Sequence, residues 1–241
     1  MRLDFLIPAL LLALSSTPTA AAITPFQLPP AGELLYTIKA KQSGIALSGT
    51  ASVKWQLTEK KYAILTETRA MLFGKILNAD SVGSIDAHGL APDSFTEKRF
   101  GKDATVTSFE RSKKLLRFST SAQTYPLNGG EQDRTSAVWQ LVALARAAGA
   151  AVKPGSEWSM FVAGRRDAEP WTFKVLAAEP LHTALGEFTT LHISKAPPPD
   201  SKDQTLDIWL APDLEWYPVR VKFSDAEGEY VDQLLESVKK F

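Results

Sequence analysis

The sequence contains no cysteine at any of its 241 positions. That absence removes disulfide staples, thiolate metal sites, cysteine nucleophiles and a lipid-modified N-terminal cysteine together. A surplus of one charge is missing too, since 27 Lys+Arg stand against 27 Asp+Glu. With no basic excess to displace counterions from a polyanion, no nucleic-acid partner is expected. Histidine is scarce: His88, His182 and His192 show no metal-ligand spacing. His182 and His192 flank a turn at Gly186 and could be cross-strand neighbours, but no carboxylate motif stands near to complete a site. No metal and no cofactor is therefore expected. Phosphate-loop, nucleophile-elbow and H-E-x-x-H motifs are absent. The S-x-x-K spelling at Ser237-Val238-Lys239-Lys240 falls at the chain end, where nothing downstream could build an oxyanion hole, and reads as a frayed basic terminus.

What is present points to export and to a folded core. Residues 1–22 carry Arg2, an apolar stretch from Phe5 to Leu14, the breaker Ser15-Ser16-Thr17-Pro18 and the small residues Ala20-Ala21-Ala22. This order is that of a secretory signal peptide cleaved before Ile23, and the apolar stretch is too short for a transmembrane helix. Cleavage leaves 219 residues and removes one charge of each sign, Arg2 and Asp4. A chain of that size buries enough surface to fold without disulfides. A periplasmic location follows for a Gram-negative source.

Beyond a proline-bearing lead (Pro25, Pro29, Pro30), short alternating segments succeed one another. Glu33–Lys41, Ala51–Leu57, Tyr62–Ala70, Ala79–Asp86, Ser94–Phe100, Thr105–Glu110 and Leu115–Ser119 have the period of two expected of strands with one wet face. Around Asp133–Ala148 the period changes, with Val138, Leu141, Val142 and Ala145 on one helical stripe. Asp133 is the expected N-cap, Arg146 suits the C-terminal dipole, and Gly149 followed by Pro154 stops the helix. Strands resume at Glu157–Val162, Trp171–Leu176, Glu187–Ser194, Thr205–Leu210, Pro218–Phe223 and Glu229–Leu235. The expected architecture is mainly β, an antiparallel curved sheet or incomplete barrel wrapped around one central α-helix. With no repeat or composition break, residues 23–241 read as a single domain.

Candidate binding chemistry gathers on one hairpin. Alternation puts Leu206, Ile208, Leu210, Val219, Val221 and Phe223 on one face, and Asp207, Trp209, Arg220 and Lys222 on the other. There Arg220 could stack on Trp209 and pair with Asp207, either stiffening the sheet or meeting a ligand. Six tryptophans, at 55, 139, 158, 171, 209 and 216, suggest an aromatic-lined pocket or a heavy core. Glu67, Glu97 and Glu110 are carboxylates on alternating faces, so a two-carboxylate hydrolase would leave no motif to read.

Three groups of residues resemble a known family. Ser81-Val82-Gly83-Ser84-Ile85 runs on through Gly89-Leu90-Ala91-Pro92 to Phe95; Gln132-Asp133-Arg134-Thr135-Ser136 opens the helix; and Asp207-Ile208-Trp209 precedes Pro218-Val219-Arg220. Their order and spacing resemble the bacterial exported family of domain of unknown function 3108. The resemblance implies a periplasmic, mostly antiparallel β domain similar in plan to lipoprotein carrier and sensor domains of the envelope. It supplies no catalytic residue. Within the helix motif, Arg134 at the positive helix start is disfavoured unless it meets a carboxylate or an anionic ligand. Trp209, Arg220 and Arg134 are thus the candidate ligand-binding residues. The expected function is non-enzymatic binding of an apolar or amphipathic envelope molecule such as a lipid. The alternatives are a module contacting an envelope protein through an edge strand or the Pro197-Pro198-Pro199 loop, and a cell-wall or polysaccharide hydrolase.

Overall fold

A computed structural model describes residues 24–195 and 204–241. The export segment 1–22 and the 196–203 loop lie outside the described residues. Among the described residues fifteen strands form one sheet. The first eight are β1 (Gly32–Gln42), β2 (Ile45–Leu57), β3 (Lys61–Ala70), β4 (Gly74–Asp86), β5 (Gly89–Arg99), β6 (Thr105–Glu110), β7 (Leu115–Phe118) and β8 (Ser121–Pro126). The two-residue β9 (Gln132–Asp133) leads into the helix α1 (Ser136–Ala148). Beyond it come β10 (Glu157–Ala163), β11 (Ala168–Thr183), β12 (Gly186–Lys195), β13 (Thr205–Leu210), β14 (Pro218–Ser224) and β15 (Tyr230–Lys240). Every neighbouring pair is antiparallel except β9 with β10.

Strand order runs β8 to β1, then β15 back to β9, so the two terminal strands pair with each other in the middle of the sheet. This corrects one expectation. Ser237–Lys240 is not a frayed end: Leu35 faces Ser237 and Gly32 faces Lys240 in the β1–β15 ladder. The edges of the sheet are β8 and β9. Both are short, which limits the unpaired backbone they present. His182 and His192 are not cross-strand partners either. His182 lies opposite Glu187 and His192 opposite Ala177, because the tight turn that pairs Thr183 with Gly186 sets the register of this hairpin.

The two flanks of this large, open, curved sheet approach each other through side chains. Thr107 Oγ1 donates to the Gly164 carbonyl at 2.8 Å and Thr120 Oγ1 to the Arg165 carbonyl at 2.9 Å. Beneath them Phe109, Leu116 and Phe118 cluster with Ala163 and Ala168. Helix α1 packs Leu141, Val142 and Ala145 in one apolar cluster with Phe173, Ile193 and Ile208, while Trp139 joins another with Trp55 and Tyr217. Trp139 stacks on Trp55 with ring centroids 4.7 Å apart. Trp55, Trp139, Trp171 and Trp209 are all buried. The large rings therefore fill core volume, and neither groove described below has tryptophan in its lining.

The helix is fixed at its N-terminus by the residues expected there. Asp133 Oδ1 accepts the Thr135 and Ser136 N–H groups, each at 2.8 Å, and Ser136 Oγ accepts the Asp133 N–H at 2.9 Å. This reciprocal arrangement has the pattern of a capping box closed on the turn before Ser136, while Thr135, the residue that flanks the helix, makes no side-chain cap bond. A second polar layer ties α1 to the β4–β5 hairpin. Ser81 Oγ donates to Asp133 Oδ2, Gln132 Nε2 to the Leu90 carbonyl, and Gln140 spans the Leu90 N–H and the His88 carbonyl. At the other end Gly149 caps the helix with its N–H on the Ala145 carbonyl, and Arg146 pairs with Glu215 at 2.6 Å.

Candidate functional site

The β13–β14 hairpin forms as expected, with Trp209 opposite Arg220 and Ile208 opposite Val221. Arg220 lies over the Trp209 ring at 4.6 Å. Its carboxylate partner, however, is Asp232 on β15 rather than Asp207, through a bidentate pair at 2.8 and 2.6 Å. Asp207 and Asp232 both lie opposite Lys222, one on each neighbouring strand; Asp207 meets His192 at 3.0 Å, and Asp232 receives the guanidinium fork. The Asp232 hydrogen bond raises the Arg220 guanidinium above its ordinary value, against the opposing effect of burial.

Glu179 and Asp232, absent from the sequence reading, and His192, weighed there only for a metal site, complete this ladder. His192 on β12 stacks on the other side of Trp209, 4.3 Å between centroids and 12° from parallel. Its Nε2 lies 3.0 Å from Asp207 and its Nδ1 3.7 Å from Glu179. Glu179 on β11 also accepts the Trp209 Nε1–H. Glu179, His192, Trp209, Arg220 and Asp232 thus cross five adjacent strands as one row. Trp209 keeps only 6% of its surface exposed. The row ties strands together and leaves no ring face free for a ligand. Both His192 nitrogens face carboxylates, so neither is turned outward as a general base. Alternation within each strand is visible in sequence, but which strands stand side by side is not.

Arg134 does not join Trp209 and Arg220. It is exposed just before α1, with its guanidinium against Gly164, where an added Cβ would meet Nη2 at 2.9 Å. Among the described residues no carboxylate lies within ion-pair distance of it. Arg165 and Arg166 follow Gly164 in the β10–β11 loop. Glu97, only 6% exposed, holds Arg99 at 2.6 Å and Arg165 at 3.3 Å. Partial burial lowers the Arg165 guanidinium from its ordinary value; the charges of Arg99, Arg134 and Arg166 lower it further, against the raising effect of Glu97. Arg134 therefore belongs to an arginine cluster at the seam where the two flanks of the sheet meet.

The same end of the sheet carries apolar residues in water. The β3–β4 turn exposes Met71 at 79%, Leu72 at 82% and Phe73 at 58%, and Phe100 beyond β5 is 66% exposed. These turns are neighbours: Met71 N–H bonds to the Ser48 carbonyl at 3.0 Å and Phe100 N–H to the Ile76 carbonyl at 2.8 Å. Behind the rim lies an apolar crevice of about 80 Å³, lined by Ile38, Ala40, Leu47, Ile76 and Val231 among others. A larger groove of about 420 Å³ crosses β1 to β4 and is lined by Glu33, Glu67, Asp80, Asn78 and Lys54 with some apolar neighbours. Lys75 and Arg69 hold Glu67 below the ordinary carboxylate value, while burial raises Asp80. Acids dominate this groove, so it does not suit an apolar chain. The sequence did carry a signal for the rim: Ala70-Met71-Leu72-Phe73-Gly74 places an apolar run in a hairpin turn, where polar residues are the rule.

Fold and site together describe a barrel-like antiparallel β protein with an apolar, arginine-bearing end. Residues 35–235 match the sequence profile of a family described as "Protein of unknown function (DUF3108)", and the chain belongs to that family. No curated protein matches it. Among solved structures it is similar to the beta-barrel-like protein of domain of unknown function DUF1849 from Brucella abortus. That likeness has TM-score 0.55 and 12% identity, and covers 90% of this chain and 99% of the other. It establishes a shared barrel-like fold. Weaker likenesses are to a candidate lipoprotein from Parabacteroides distasonis (TM-score 0.37, 12% identity, 89% of this chain and 99% of that one), and to a candidate exported protein with a YmcC-like fold from Bacteroides fragilis (TM-score 0.35, 10% identity, 91% and 100%).

Proposed function

We propose that this is an exported, periplasmic protein, cleaved after residue 22 to leave one domain, which holds the apolar part of an amphipathic envelope molecule without catalysing a reaction. In this reading the sheet curls round α1 as an incomplete barrel whose open end is the binding end. The observation that carries it is the crevice behind Met71–Phe73, whose lining is aliphatic at Ile38, Ala40, Leu47, Ala70, Ile76 and Val231 with Gln42, Ser48, Thr68 and Arg69 as its polar members. At about 80 Å³ it is well below the roughly 300–1,000 Å³ of a site for a whole small molecule. It therefore suits the end of an acyl or similar chain, with the rest of the molecule lying across the rim. Contact with an envelope protein through a free edge has less support, because β8 and β9 are short. Native mass spectrometry of residues 23–241 purified from the periplasm of their own host, followed by organic extraction, tests the reading. A released amphipathic molecule that is lost from Ile38→Asp, with the variant's fold checked by circular dichroism, is the expected result. A bare protein that stays bare when offered envelope lipids would overturn it.

A further inference from the structure

Among the described residues, five of the ten exposed large apolar side chains, Ile45, Met71, Leu72, Phe73 and Phe100, sit at one end of the sheet. They occupy the β3–β4 and β5–β6 turns and, at Ile45, the start of β2 beside the β1–β2 turn, which the strand pairing sets side by side. Isolated exposed apolar residues are ordinary, whereas a contiguous set at the tips of neighbouring turns marks an interaction site. Gly74, with φ +66° and open space around it, lets the β3–β4 turn project outward.

Charge around these tips is not balanced as it is in the whole chain. Arg69, Lys75, Lys98, Arg99 and Lys102 flank the apolar turns, and Arg134, Arg165 and Arg166 stand at the adjoining seam. The acids of the same segments are Glu67, Glu97, Asp103 and Asp167. Glu67 and Glu97 are already held by cations of this set. Acidic residues gather instead on the β14–β15 turn at Asp225, Glu227 and Glu229, where Glu229 accepts the Ser43 N–H. A positive zone thus surrounds the Met71–Phe73 and Phe100 tips on the side away from that turn.

We infer that this end docks on an anionic lipid bilayer, with Met71, Leu72, Phe73 and Phe100 entering the acyl boundary and the neighbouring Lys and Arg residues meeting head-group phosphates. Apolar insertion combined with cationic attraction is the recipe for reversible interfacial binding. A protein partner would be served by the apolar tips alone; the surrounding cations favour a surface that is itself negative. The inference extends the ligand reading, since the crevice opens at the surface that touches the membrane, yet docking does not require the crevice to be filled.

The test is co-flotation of residues 23–241 with vesicles of phosphatidylethanolamine and phosphatidylglycerol, set against vesicles of phosphatidylcholine alone. Binding to the anionic vesicles is expected to exceed binding to the neutral ones and to weaken with salt. Met71→Ser with Leu72→Ser should lower the bound fraction about tenfold, and Lys98→Glu with Lys102→Glu should lower it on anionic vesicles only. All four positions are exposed, so the fold, checked by circular dichroism, should be unchanged. Equal binding to both vesicle types, no binding, or binding indifferent to the Met71/Leu72 pair would each overturn the inference. So would a dimer in light scattering that the same pair abolishes, since a second copy would then cover the tips. A protein that carries an extractable amphipath but ignores vesicles would refute docking and leave the ligand reading standing.

Discussion

Asp133 is a fully buried carboxylate with several donors. Ser81 Oγ and the Thr135 and Ser136 N–H groups all point at it, which favours the charged form, yet its complete burial favours the neutral one. Burial wins, and the carboxyl is pushed up to about 6 from an ordinary 3.8. The same buried charge joins desolvation in pushing the Tyr62 hydroxyl upward. Ionised Asp133 therefore costs the folded chain stability above pH 6, and that cost fades as pH falls through 6 and is gone below 3.8. Asn keeps the capping acceptor and cannot ionise. Relative to the parent, Asp133→Asn should accordingly be most stable at pH 7 and lose about 2 kcal/mol of that relative stability by pH 4, as urea unfolding at the two pH values would measure. A relative stability that rises on acidification would mean that the donors outweigh burial.

The connection of α1 to the β4–β5 hairpin depends on a close approach of backbone to side chain. Gly89 has φ +106°, and a Cβ there would sit 2.4 Å from Gln140 Oε1, the atom that accepts the Leu90 N–H. Gly89→Ala should cost about 2–4 kcal/mol through strain and displaced hydrogen bonds. Amide hydrogen exchange should speed up along α1 as well as in the hairpin; protection of α1 unchanged from the parent would show that the helix is held by its apolar face alone. The family resemblance gains a physical meaning at this scale. Ser81, Gly89 and Leu90 in one stretch, and Gln132, Asp133 and Ser136 in the other, are the two halves of one buried polar junction. Asp133 as cap and Ser136 as its reciprocal partner were legible in sequence, because capping is local. The meeting of Asp133 with Ser81, across 52 residues, was not.

The whole sheet is held together by its two ends. β1 and β15 pair over almost their full lengths, joining the β1–β8 meander to the β9–β15 one. Tyr36 Oη donates to the Pro218 carbonyl at 2.8 Å and Tyr217 Oη to the Pro30 carbonyl at 2.7 Å, so the proline lead is fastened to the same junction. Deleting residues 230–241 would bare β1 and β14 as long edges in the centre of the sheet. The truncated chain should lose its cooperative thermal transition and elute as aggregate in size-exclusion chromatography. A monomer that still melts cooperatively would mean that β1 and β14 can pair directly.

The sequence by itself determined the alternating strands, the capped helix with its stop at Gly149, the hairpin that faces Trp209 with Arg220, and the membership that its spaced motifs announced. Each of these is local, set by period, turn chemistry or a cap within a few residues. β8 and β9 escaped because their segments are too short or too polar to show a period. Only the tertiary structure decided that Arg220 takes Asp232, that Arg134 joins Arg99 and Arg165, that the terminal strands lie at the sheet's centre, and that the apolar turns gather at one end. Those are matters of which strands stand side by side and where bulges shift their register, and one-dimensional alternation is the same for every order of strands.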